Sequence, residues 1–165
     1  MKTSKKLTSW LLLAILSVST AYSAEITSGK WTIKYDEAAR KTTFEKDGSV
    51  VLSGVSAKFK IGNVVYDTSD FTDATVSETT ASDEVGSMKK FVVQYNGSGS
   101  NGLPVVKQNF YLYGGDKDFF LTDVELQSLS GEIQTNYIAP IYTEAKDVFL
   151  TKDNNNRFLT VPFDN

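Results

Sequence analysis

The sequence predicts an all-β protein, an antiparallel β-sandwich of about ten short strands, and three observations carry the prediction. Apolar residues recur with a period of two, as on strands that press one face against a core. Turn dipeptides separate the apolar runs, at Asp47-Gly48, Gly62-Asn63, Asn96-Gly97, Asn101-Gly102, Gly114-Gly115 and Ser130-Gly131. These signals recur roughly every 8–12 residues, the spacing of a sandwich or barrel. No stretch of about 12 residues, the length a stable helix needs, carries a helical apolar stripe.

The strands follow in order. Trp31, Ile33 and Tyr35 alternate with Thr32 and Lys34, and residues 36–40 connect the first two strands. Val55, Ala57, Phe59 and Ile61 alternate with Ser56, Lys58 and Lys60. Residues 68–84, rich in Thr, Ser and Asp, read as a loop holding one edge strand around 74–79. Phe91, Val93 and Tyr95 resume the alternation, with Gln94 on the other face, and the polar stretch 96–102 reads as a flexible hairpin end. Residues 105–113 are partly apolar on both faces, Val106, Phe110 and Leu112 against Val105, Tyr111 and Tyr113, which predicts a central strand. Phe120, Val124 and Leu126 face inward, opposite Asp123, Glu125 and Gln127. Shorter apolar runs follow at 137–142, 148–150 and 158–161. No repeat is visible, which disfavours propellers and solenoids.

The first 23 residues read as a cleavable signal peptide. Lys2, Lys5 and Lys6 form a positive segment, residues 10–16 a short apolar one, and Ala21-Tyr22-Ser23 a small-residue cleavage site. A spanning helix needs about 20 apolar residues, so export to the periplasm, cell surface or medium is expected, with no membrane span. Residues 24–165 then form one domain. All 20 acidic residues but only 14 of the 17 basic ones lie beyond the leader, a net charge of −6. That acidity argues against nucleic acid and anionic membrane as partners. The sequence contains neither Cys nor His, so it lacks disulfides, the usual neutral-pH base and the ligands of nearly all structural zinc sites. No cofactor, metal or catalytic residue is expected.

Oxygen-rich clusters at Asp116-Lys117-Asp118 and 153–156 lack the ligand spacing of known calcium loops and read as polar turns. Asp123 with Glu125, or Glu144 with Asp147, offers a carboxylate pair of the kind glycoside hydrolysis uses. The first pair lies opposite the apolar face of its strand, where solvated charge is expected. Tyr111, Tyr113, Tyr137 and Tyr142 are the candidates for an exposed aromatic platform that stacks on sugar rings, as against core or cross-strand aromatics. Asn96-Gly97-Ser98 matches a glycosylation acceptor and reads as a turn.

Three segments carry a family resemblance: residues 31–36 (Trp-Thr-Ile-Lys-Tyr-Asp), 46–55 (Lys-Asp-Gly-Ser-Val-Val-Leu-Ser-Gly-Val) and 157–165 (Arg-Phe-Leu-Thr-Val-Pro-Phe-Asp-Asn). Together they resemble the N-terminal β-sandwich of secreted bacterial glycoside hydrolases related to the α-galactosidases and raffinose synthases. The resemblance implies a galactose-mutarotase-like supersandwich packed against a (β/α)₈ barrel that holds the catalytic acids. The partner it implies is therefore the catalytic domain of the same polypeptide, with an oligosaccharide as ligand. The abrupt ending after Thr160-Val161 reads as that of a truncated domain, with the closing loop, Asp164 and Asn165 included, directed towards the partner and its ligand. Mutarotation itself needs a His that the chain lacks. The expected role is a non-catalytic accessory domain of an exported carbohydrate-active enzyme. The alternative is a stand-alone carbohydrate-binding or surface-adhesion module.

Overall fold

A computed structural model describes residues 24–97 and 102–149. The segment 1–23 expected to be a leader, the 153–156 cluster, the 158–161 run, Asp164 and Asn165 lie outside the described residues. Within them the chain forms ten strands and no α-helix: β1 (Ala24–Ser28), β2 (Trp31–Asp36), β3 (Lys41–Lys46), β4 (Ser49–Ile61), β5 (Val64–Asp67), β6 (Ala74–Ser82), β7 (Ser87–Tyr95), β8 (Val105–Tyr113), β9 (Phe120–Gln127) and β10 (Ile138–Tyr142). One antiparallel sheet runs β1-β2-β3-β4-β10, with β5 also on β4; the other runs β6-β7-β8-β9. The two sheets pack face to face around one core, so the all-β prediction and its antiparallel pairing hold.

Local chemistry explains most boundaries. Asp47 and Gly48 both take positive φ (50° and 74°) in the tight turn between β3 and β4. The turn at 37–40 is closed by the Asp36 carboxylate, which accepts from the Ala39 N–H at 2.9 Å. Because Ala24–Ser28 and Lys41–Lys46 are also strands, this turn joins the second and third strands and not the first two. Neither strand has a clean apolar alternation, and β3 buries Thr42 and Thr43 beside Phe44.

Strand β4 is 13 residues long, not short. Its register against β3 slips between Thr42 and Phe44, where Gly54 (φ 60°) lies in the bulge. Beyond the bulge β4 pairs with β5 along the same edge, while β10 and the Leu52–Val148 bridge occupy the other. Ser56, expected to point outward, is buried opposite Tyr142 of β10. Residues 68–84 hold the expected edge strand, longer than 74–79. A 3₁₀ turn (Thr68–Asp70) capped by Asp67 leads into the nine-residue β6, and the buried Thr68 hydroxyl accepts from the Ala57 N–H at 2.9 Å.

The core is aromatic. Phe44 of the first sheet lies between Phe110 and Phe120 of the second, with ring centroids 5.3 and 5.0 Å away, and Trp31 meets Phe120 edge-on at 4.9 Å. Tyr35, Tyr95, Phe71 and Phe59 continue the aromatic chain towards the other end. Strand β8 lies between β7 and β9, central as predicted, with Val106, Gln108, Phe110 and Leu112 in the core. Its opposite face holds the second buried assembly of the molecule.

Candidate functional site

That face is built by register. The rows across β7, β8 and β9 are Lys90–Tyr111–Leu121, Val92–Asn109–Asp123 and Gln94–Lys107–Glu125. Directly opposed side chains lie about 5 Å apart at Cβ, so an amide at 109 sits between a carboxylate beside it and another one step along. Asn109 Nδ2 donates to Asp123 Oδ1 at 2.6 Å and to Glu125 Oε1 at 2.8 Å. The Tyr111 hydroxyl donates to the remaining oxygen, Asp123 Oδ2, at 2.7 Å. Lys107 pairs with Glu125 Oε2 at 3.7 Å, and the Lys90 ammonium stands 5.2 Å from the centre of the Tyr111 ring. Asn109 is fully buried although it lies on the outer side of the sheet.

The cluster continues towards the β6–β7 turn. Tyr113 donates its hydroxyl to Asp83 Oδ2 at 2.6 Å, while Asp83 Oδ1 accepts from the N–H groups of Val85 and Gly86. The Tyr113 bond and these backbone donors hold the Asp83 carboxyl below the usual range. Burial, then the bond to Asp123, pushes the Tyr111 hydroxyl up to about 12. Between these groups lies an open hollow of about 400 Å³, lined by Asp83, Met88, Tyr111, Tyr113, Leu121 and Asp123. Its wall combines hydrogen-bond acceptors in fixed positions with the exposed side chain of Leu121. Asn109 Oδ1, fully buried, has no hydrogen-bond partner.

The four tyrosines expected on one platform divide between the two sheets. Tyr111 and Tyr113 stand together on the outer face of β8, but Tyr113 is only 1% exposed, its ring 5.7 Å from that of Phe119. Tyr137 and Tyr142 are exposed and belong to the β10 edge, where Lys58 Nζ lies 3.5 Å from the centre of the Tyr142 ring. They are separated because β10 pairs with β4 and not with the strands of the second sheet.

Asp123 and Glu125 are not two independently solvated charges but are bridged by one buried amide. Glu144 and Asp147 have different partners, Lys146 at 3.0 Å and the Ser53 hydroxyl at 3.4 Å. Asp118 lies between Lys30 (2.9 Å) and Lys46 (3.2 Å), which hold its carboxyl below the usual range. Two ammonium groups already neutralise the oxygen that a calcium site there would use. Asn96 Nδ2 donates to Asp73 Oδ2 at 2.7 Å, and Ser98 lies outside the described residues.

Sequence reasoning missed Asn109, Lys90 and Asp83. Asn109 had one visible signal, an amide two positions before Tyr111 in a strand otherwise rich in large side chains. Lys90 and Asp83 had none, because their roles come from partners 21 and 30 residues away in sequence. No family model, curated protein or solved structure matches the chain.

Proposed function

We propose that this chain is an exported, galactose-mutarotase-like sandwich that serves a carbohydrate-active enzyme as a non-catalytic accessory domain, and that it binds a saccharide on the outer face of β6–β9. The observation that carries the reading is the Asn109–Tyr111–Asp123–Glu125 network, a set of polar groups held rigid on a solvent-facing sheet. Sugars present hydroxyls that donate to fixed carboxylates and accept from ammonium groups, and C–H faces that rest on apolar side chains. Asp123 and Glu125, Lys90 and Lys107, and Leu121 with Met88 supply those three kinds of contact. The carboxylates and the net charge of −6 beyond the leader favour neutral over anionic glycans. The chain has no His to relay protons, which supports a binding role, with hydrolysis left to a barrel of the same polypeptide.

Calorimetry of the purified chain against galactosides and plant cell-wall oligosaccharides tests the reading. Saturable binding with a Kd below about 1 mM, worth roughly −4 kcal/mol, is expected for at least one of them. Asp123→Ala and Tyr111→Ala abolish it, and Tyr142→Ala, on the other sheet, leaves it intact. Flat titrations throughout sink the saccharide reading. Turnover of an aryl α-galactoside by the purified chain sinks the accessory one. The coding sequence downstream of Asn165 separates an accessory domain from a stand-alone module: an in-frame βα pattern marks the former.

A further inference from the structure

We infer that β6 is a pairing edge through which two copies of this chain join their four-stranded sheets into one continuous antiparallel sheet. The inference begins with which way the β6 backbone points. Asp83 and Gly86 exchange both backbone hydrogen bonds, at 3.1 and 3.2 Å, and the Asn96 N–H donates to the Asp73 carbonyl at 3.0 Å. The register is unbroken from Ala74–Tyr95 to Ser82–Ser87, so bonded pairs fall on the odd positions of β6. The N–H and C=O groups of Ala74, Val76, Glu78, Thr80 and Ser82 therefore point away from β7, where β6 has no neighbour in its sheet among the described residues.

Most of the usual guards of an edge strand are missing here. Natural edges are blunted by shortness, bulges, Pro or charged side chains. Strand β6 has nine residues, no bulge, no Pro and a single charge, Glu78, which is paired with Lys89 of the neighbouring strand; its three threonines favour extended chain. The β10 edge, by contrast, is five residues long, irregular in register and contains Pro140. Beneath the far half of β6 a groove of about 480 Å³ reaches to Ser28 and Gly114, so the other sheet does not cover Thr80 and Ser82.

The occupant that fits is β6 of a second copy. Antiparallel pairing about a twofold axis at Thr79 sets Thr79 against Thr79, Glu78 against Thr80 and Val76 against Ser82. Every outward N–H and C=O from Val76 to Ser82 then finds a partner. Glu78, 3.6 Å from its own Lys89, meets the uncharged Thr80, and next along that row stands the second copy's Lys89. The two acidic groups are diagonal and not directly opposed, roughly 7–8 Å apart, and each lies beside a cation from either chain. A single strand edge buries less than the roughly 1,600 Å² of a standard interface, so the dimer is weak.

The full chain, as secreted, tests this through its lack of cysteine. In the proposed register the Thr79 Cα atoms form a non-hydrogen-bonded pair about 4.5 Å apart, within disulfide reach. Thr79→Cys should therefore give a disulfide-linked dimer under oxidised glutathione, while Leu129→Cys, also exposed but in the loop after β9, stays monomeric. Thr80→Pro removes an N–H that bonds nothing within the chain, so far-UV circular dichroism and saccharide binding should stay unchanged. Dimerisation followed by sedimentation should weaken at least tenfold. A wild-type chain that remains monomeric at about 100 μM, or a Thr79→Cys variant that crosslinks no better than Leu129→Cys, overturns the inference.

Discussion

Each face of β8 buries a side chain completely at its centre, and the two are buried by different physics. On the inner face Phe110 is fully buried among Phe44, Phe91 and other rings; on the outer face Asn109 is fully buried among two carboxylates and a phenol. Apolar burial is non-directional, worth about 25 cal/mol per Å², and its loss scales with the area and cavity left behind. The polar assembly is directional, each bond adding about 1 kcal/mol net, yet removing one member strands the others. The inner face therefore supplies stability, and the outer one supplies groups in fixed positions, which is what recognition needs.

Breaking the inner face should cost most. Phe44→Ala opens a cavity between Phe110 and Phe120, and a loss of about 3–5 kcal/mol in urea unfolding is expected. A loss below about 1 kcal/mol would mean that the sheets are not held by this ring. On the outer face Asn109→Ala leaves Asp123 and Glu125 adjacent without their common donor. The expected cost is about 1–3 kcal/mol, smaller in 1 M salt, where the repulsion of the two carboxylates is screened. Salt dependence separates the two faces, because the Phe44 variant should show no such recovery.

The mildest change, Tyr111→Phe, sharpens the comparison through pH. Tyr35 and Tyr111 both titrate near 12, Tyr35 because of burial and Tyr111 because of burial and then the Asp123 bond. A hydroxyl whose folded pKa exceeds its unfolded value of about 10 binds its proton more tightly when folded. Its stabilising contribution is complete below about pH 10 and is lost as pH rises through about 12. Unfolding at pH 9, 11 and 12 should therefore show falling stability, with a shallower fall in Tyr111→Phe. An unchanged slope would place Tyr111 outside the alkaline transition.

Much of the fold was legible before any coordinates. The alternation at 31–35, 55–61 and 91–95 marks β2, the far half of β4 and β7, and the mixed faces of 105–113 marked a strand with neighbours on both sides. The strands without such a stripe were harder. Strand β1 has one fully buried side chain, Ile26, and β3 buries threonines, which periodicity does not count as apolar. The candidate site was half legible: Tyr111 and Tyr113 were named among the candidates, whereas the amide between Asp123 and Glu125 was not.

The sequence by itself determined the local properties: extended backbone, because side chains alternate with period two, and turns, because Asp-Gly and Gly-Gly pairs accept positive φ. It also determined the chemistry available, without His or Cys and with an acidic balance. Only the tertiary structure decided which side chains meet. It sent Tyr137 and Tyr142 to one sheet and Tyr111 and Tyr113 to the other, buried Asn109 on an outer face, and left β6, among the described residues, at the edge of its sheet. Those outcomes depend on strand order and register, which are set by the packing of two whole sheets against each other, and no short window of sequence contains them.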